Sequence, residues 1–126
     1  YMTGLAGKGH SYRNAINSAR LFSQLNPYFI SVDSLTLFPD TELAQMAQNG
    51  QFTPASEQER LQELQIFIQH LQIRTHLLAN TKSNFFPFTA YLPRDKEKVI
   101  GQLQWVINHI SEAEMQAYRQ GLKSLG

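Results

Sequence analysis

The chain has 126 residues, 42% of them hydrophobic, with eight Phe, five Tyr and one Trp: enough apolar material for one domain with a core, and too much for a disordered segment. Eleven Lys and Arg against ten Asp and Glu leave a net charge of +1, so no basic face points to nucleic acid or an anionic membrane. The lack of cysteine excludes a disulfide framework, a zinc–cysteine site, an iron–sulfur ligand set and a cysteine nucleophile within these residues.

No run approaches the ~18 apolar residues of a membrane span, and no charged-then-apolar stretch opens the chain, so a soluble, cytoplasmic protein is expected. Tyr1-Met2-Thr3-Gly4-Leu5 begins in strand-like fashion, and a piece from the middle of a longer protein is the expectation. Residues 2–6 read as a short buried strand ending in the glycines of a flexible turn, Gly4, Gly7 and Gly9. Ser11 is a good N-cap for a helix over 11–25, with Tyr12, Ala15, Ile16, Ala19, Phe22 and Leu25 on one stripe. Asn26-Pro27 stops it, because the residue before proline disfavours the α conformation. The aromatic and β-branched run 28–33 is a second strand. Strand, glycine turn, helix and strand make a βαβ unit, whose crossover requires the two strands to be parallel.

After Leu35-Thr36-Leu37-Phe38-Pro39, Asp40 or Thr41 caps a short helix carrying Leu43, Met46 and Ala47, with Gly50 as the left-handed residue that ends it. Ser56 and Glu59 form a capping box, followed by Leu61, Leu64, Phe67 or Ile68, and Leu71 on one face. In that helix Glu57, Glu59, Arg60 and Glu63 read as a solvated face. Residues 73–79 read as a third strand, and Asn80 to Leu92 as a long loop whose aromatics (Phe85, Phe86, Phe88, Tyr91) form a hydrophobic lid or packing seam. Pro93 precedes a helix to about Ile110 with Val99, Ile100, Leu103, Val106, Ile107 and Ile110 inward. Ser111 and Glu114 cap a last helix running to about Lys123.

The turn Gly4-Leu5-Ala6-Gly7-Lys8-Gly9-His10-Ser11 has two readings. One is a tight turn needing left-handed residues; the other is a backbone that approaches a ligand and presents N–H groups to it. Its G-x-x-G-x-G spacing is neither a P-loop nor the G-x-G-x-x-G of a dinucleotide fold. Asp33 and Ser34, at the carboxyl end of the second strand, stand where open α/β sheets bind ligands. His10, His70, His76 and His109 form no pair at metal-ligand spacing; no catalytic residue and no metal ligand is assigned.

Gly4-Leu5-Ala6-Gly7-Lys8 opening a helix resembles the Gly-Leu-x-Gly-(Glu or Lys) turn late in the barrel of radical S-adenosylmethionine (SAM) enzymes. Residues 26–32 followed by Leu35-Thr36-Leu37-Phe38-Pro39-Asp40-Thr41-Glu42-Leu43 resemble the next strand and its Pro-Gly-Thr-x-Leu loop, with Asp40 in place of the glycine. Ser83-Asn84-Phe85-Phe86-Pro87-Phe88, then Leu92-Pro93-Arg94-Asp95-Lys96-Glu97-Lys98, is similar to the C-terminal stretch of the subgroup described as iron–sulfur oxidoreductases or as related to oxygen-independent coproporphyrinogen oxidase. Asn80 and Thr81 replace the Asp-His pair usual there.

The resemblance implies an α/β fold: the C-terminal part of a partial TIM-type (β/α)6 barrel with extra C-terminal helices. Residues 1–50 would be the last two barrel βα units, and 51–126 an extension of one strand and three helices. It implies that Gly4, Leu5, Ala6 and Gly7 lie near SAM, that Asp33 and Ser34 line the pocket mouth, and that the parent enzyme uses a [4Fe–4S] cluster and SAM. The cluster's three cysteines would belong to the N-terminal half of the parent, the expected partner; the fragment itself holds no cofactor and is expected to be inactive alone. The alternative is a self-standing α/β interaction or regulatory domain without catalysis. A fragment with an open strand edge is expected to form a homodimer through residues 1–7 or the Phe85–Tyr91 loop.

Overall fold

In the computed structural model, which describes residues 1–122, the chain is a mixed α/β protein. Strand β1 (Met2–Thr3) runs into the glycine turn and helix α1 (Ser11–Leu25). Strands β2 (Phe29–Ser31) and β3 (Asp33–Ser34) are one extended run through Val32. Helices α2 (Glu42–Gln48) and α3 (Glu57–His70) follow, then strands β4 (Thr75–Ala79) and β5 (Phe88–Leu92), and helices α4 (Lys96–His109) and α5 (Glu112–Gln120).

The expected parallel pairing is present. Met2 faces Asp33 and Thr3 faces Ser34 in parallel register, and β2 pairs in parallel with β4, Ile30 opposite Leu77. Val32 joins the two ladders, its N–H donating to Leu78 O at 2.8 Å while the next amide, Asp33, donates to Tyr1 O at 3.0 Å. Alternation then sorts the residues. Ile30, Val32, Leu77, Ala79, Ala90 and Leu92 are buried in one core with Ala15 and Ala19 of α1, Leu64, Phe67 and Ile68 of α3, Leu103 of α4 and Met115 of α5. Phe29, Ser31 and Thr89 on the opposite face are exposed, and His76, Leu78 and Tyr91 beside them only half-buried. Phe29 is thus bare, whereas Ile30 beside it points into the core.

Four expectations need correction. Residues 88–92, read as part of a loop, are a strand antiparallel to β4 with Leu77 opposite Ala90, so the C-terminal extension holds two strands. Phe88, Ala90 and Leu92 keep a period of two that the surrounding aromatics and Pro87 obscure. The first strand stops at Thr3 because Gly4 turns at φ 83°, which leaves Leu5 exposed. His10, not Ser11, is the N-cap of α1; Ser11 lies inside the helix with its hydroxyl buried and unpartnered. Most consequentially, Glu57, Arg60 and Glu63 are not solvated: they are 6%, 5% and 1% exposed.

The remaining helix signals hold. Thr41 Oγ1 accepts from Ala44 N at 3.2 Å, Ser56 Oγ from Glu59 N at 3.0 Å and Ser111 Oγ from Glu114 N at 3.1 Å, each satisfying an amide that the first helical turn cannot. Asn26 closes α1 in the left-handed region, its N–H bonded to Phe22 O. Helix α4 begins at Lys96, past Pro93, and the expected end of the last helix at Lys123 lies outside the described residues.

Candidate functional site

The carboxyl ends of the parallel strands, the glycine turn, the start of α3 and helix α5 converge on one polar cluster. The turn positions it. Gly4 has φ 83°, and a Cβ there would sit 2.8 Å from Arg60 Nε, so only glycine admits both the left-handed backbone and the arginine against it.

Five of the turn's amides, those of Gly4, Gly7, Lys8, Gly9 and His10, are bonded within the protein. Gly4 N donates to Glu63 Oε1 at 2.9 Å, Gly9 N to both oxygens of Glu59 at 2.9 and 3.2 Å, and Lys8 N to Thr53 O at 2.8 Å. Gly7 N and His10 N close local turns onto Gly4 O and Gly7 O. Of the four residues expected near SAM, Gly4 and Gly7 have engaged amides. The turn therefore presents outward the exposed Leu5 side chain and the half-buried Ala6.

Two carboxylates on α3 anchor the arrangement. Glu63 also accepts from Asn14 Nδ2 at 3.3 Å and from the Tyr1 hydroxyl, whose ring stacks on Phe67 at 4.1 Å. Burial, and then the hydrogen bond to Glu63, push the Tyr1 phenol well above its ordinary value. Glu57 is gripped by the Arg119 guanidinium in a two-pronged fork, Nε to Oε2 at 2.8 Å and Nη2 to Oε1 at 2.9 Å. Arg119 also donates to Thr36 Oγ1 at 2.7 Å and Ser83 O at 2.8 Å.

Arg60 lies beneath, donating to Ala55 O at 3.2 Å, Ser34 Oγ at 3.2 Å and Leu35 O, with Glu57 at 3.5 Å. Burial lowers its guanidinium below the ordinary value, the attraction of Glu57 offsetting this in part. Glu112, from α5, caps α3 by accepting from Glu57 N at 2.8 Å and Gln58 N at 2.9 Å. Burial alone would raise the Glu112 carboxyl; the Gln58 and Glu57 amides outweigh it and hold the group below the usual carboxylate range.

Asp33 and Ser34 join a different seam. Asp33 Oδ1 accepts from Thr81 Oγ1 at 2.5 Å and Ser83 Oγ at 3.3 Å, while Ser34 N donates to Ser83 Oγ at 3.0 Å. Asn84 Nδ2 donates to Val32 O at 2.8 Å, so the Ser-Asn pair staples its loop to the central strand. Ser34 is 4% exposed and sits under Arg60.

Two clefts flank the arginines. One, of about 460 Å³, runs between the start of α3 and α5 and includes Lys8, Glu59, Arg60, Glu112 and Arg119 in its lining. The other, of about 410 Å³, lies between residues 36–39 and α5, with Arg60 and Arg119 at its wall. The residues that build this centre were missed by sequence reasoning. Their signal was phase: Glu57, Arg60 and Glu63 fall on the same helical stripe as Leu64 and Phe67, so they face the core.

The donor set does not fit an iron–sulfur cluster. There is no thiolate, and among the described residues no three His, Asp or Glu side chains converge as a metal site; His70 and His109 instead turn back to carbonyls of their own helices. Compared with known proteins, the chain matches no family model, no curated protein and no solved structure.

Proposed function

We propose that the chain is the C-terminal part of a radical SAM enzyme, contributing wall and strand ends to the SAM and substrate pocket while the cluster is held by another part of the parent. The observation that carries this reading is the one-sided sheet. Parallel strands β1, β2/β3 and β4 bury one face in the core with α1, α3 and α4 and leave Phe29 and Ser31 bare on the other. That is the expected character of a barrel segment, helices outside and strands lining an interior. The free edge of β1 and the bare face also support self-association of the isolated chain as a homodimer, which recovers hydrogen bonds and apolar contact.

The reading is tested on the coding sequence ahead of Tyr1 and on the protein it specifies. A C-x-x-x-C-x-x-C segment is expected there, and the longer protein, reconstituted with iron and sulfide under anaerobic conditions, should turn brown and cleave SAM to 5′-deoxyadenosine. The 126-residue chain treated in the same way should do neither. A longer protein without that cysteine segment, or one that binds no cluster, overturns the reading.

One observation favours the alternative of a self-standing interaction or regulatory domain. Glu59, Glu63 and Thr53 already take amides of the glycine turn, as they would in a turn that binds nothing. A monomeric chain in light scattering, stable and indifferent to SAM, would be the result that favours it.

A further inference from the structure

A guanidinium carries five N–H donors and keeps its charge when buried, so each donor left without an acceptor has a cost. Arg119 engages all three nitrogens with protein oxygens. Arg60, only 5% exposed, does not. Its Nε is bound by Ala55 O and its Nη1 by Ser34 Oγ and Leu35 O, but Nη2 meets no acceptor among the described residues. Nor is Nη2 sealed in: the unpartnered side-chain atoms closed off from solvent among those residues are Ser11 Oγ and Thr75 Oγ1. Arg60 lines both clefts.

We propose that Arg60 Nη2 is the anchor of a carboxylate-binding site in the cleft between the start of α3 and helix α5. Three bonds to main-chain and hydroxyl oxygens, with Gly4 packed on Nε, hold the guanidinium in place before any ligand arrives, so little side-chain entropy is lost on binding. A desolvated cation whose burial is only partly offset by Glu57, Glu112 and Glu63, with Arg119 opposing them, gains from a further anion. The cleft volume of about 460 Å³ is in the range of small-molecule sites.

Charge selects the anion. Lys8, Arg60 and Arg119 in the lining are balanced by Glu57, Glu59 and Glu112, so the cleft has no excess positive charge to offset the larger desolvation cost of a doubly charged phosphate, and a singly charged carboxylate is the favoured anion. The site stands on Arg60 and its cleft alone, independent of the radical SAM reading.

The test uses the chain labelled with ¹⁵N-arginine and titrated with sodium acetate, with sodium chloride at equal ionic strength as control. The Arg60 signals are assigned through Arg60→Lys. Expected are saturable shifts of the Arg60 side-chain signals with acetate, while exposed Arg94 drifts only with salt. Gln120→Glu, which adds a carboxylate to the cleft wall at an exposed position, should weaken acetate binding about tenfold and leave the melting temperature unchanged. Phosphate above its second ionisation should bind about tenfold more weakly than acetate. Arg60 shifts that merely follow ionic strength like those of Arg94, acetate binding unaffected by Gln120→Glu, or phosphate binding better than acetate would each overturn the assignment.

Discussion

Helices α3 and α4 are both 14 residues long and pack against each other, yet they bury different chemistry. In α4 the buried residues are Val99, Leu103 and Val106, an apolar stripe at spacings of four and three. In α3 the C-terminal half is apolar in the same way, with Leu64, Phe67 and Ile68, but the N-terminal half buries Glu57, Arg60 and Glu63 around a single apolar residue, Leu61. An apolar side chain is satisfied by any apolar neighbours. A buried charge needs particular partners, and those of α3 come from far along the chain: Arg119 and Tyr1, each 62 residues from its glutamate. The polar half is thus the part of the molecule where one residue depends most on another.

The largest expected effect follows from that dependence. Arg119→Ala leaves the Glu57 carboxylate, 7% exposed, without its fork, and should cost ~3–5 kcal/mol in chemical denaturation. Leu103→Ala, at a site 0% exposed in the apolar helix, should cost ~2–5 kcal/mol through lost transfer energy and the cavity left behind. If Arg119→Ala costs no more than the ~0–1 kcal/mol of a surface ion pair, the polar half of α3 is effectively solvated and the contrast between the helices fails.

Next in size is a pair of glycines. Gly4 and Gly9 have nearly equal φ, 83° and 82°, but an added Cβ meets Arg60 Nε at 2.8 Å in the first case and nothing within 4 Å in the second. Gly9→Ala should show the left-handed penalty alone, ~1–2 kcal/mol, and Gly4→Ala that penalty plus displacement of Arg60. In an Arg60→Met background the difference between the two should shrink. Equal costs in the wild-type background would mean that Arg60 yields freely and is not held by its neighbours.

These contrasts also explain what was legible in the sequence. Helix α1, the parallel unit around it and the caps at Thr41, Ser56 and Ser111 depend on local signals: an apolar stripe, an Asn-Pro stop, a hydroxyl three residues ahead of an amide. Strand β5 was hidden because Phe88 to Leu92 alternate only weakly and acquire their strand character by pairing with β4. The polar centre was hidden for a stronger reason. A charge on a helix is ordinarily solvated, and nothing near Glu57 or Glu63 in sequence announces Arg119, Gly4 or Tyr1 as a partner.

A smaller effect separates local from long-range capping. Ser111 caps α5 through Glu114 N, and Ser111→Ala should cost about 1 kcal/mol, measured as a shift in denaturation midpoint at unchanged slope. Ser56→Ala should cost less at α3, because Glu112 still holds the Glu57 and Gln58 amides when the hydroxyl is gone. An equal loss at the two sites would mean that the remote carboxylate contributes nothing to the α3 terminus.

The smallest expected effect isolates that carboxylate by its pH dependence. The folded-state value of Glu112 is lowered from the ordinary 4.5, burial opposing the shift and the Gln58 and Glu57 amides driving it, so folding favours the ionised form. Its contribution is therefore fully present above the unfolded value and fades as pH falls through the folded one. Glu112→Gln keeps the shape and one acceptor oxygen but removes the charge beside the α3 terminus. It should lower stability at neutral pH by ~0.3–1 kcal/mol, the usual scale for a charge at a helix end. The gap to wild type should then close on acidification below pH 4.5 as the native carboxyl takes up its proton. A gap that persists unchanged into acid would assign the effect to side-chain shape and not to the charge beside the α3 terminus.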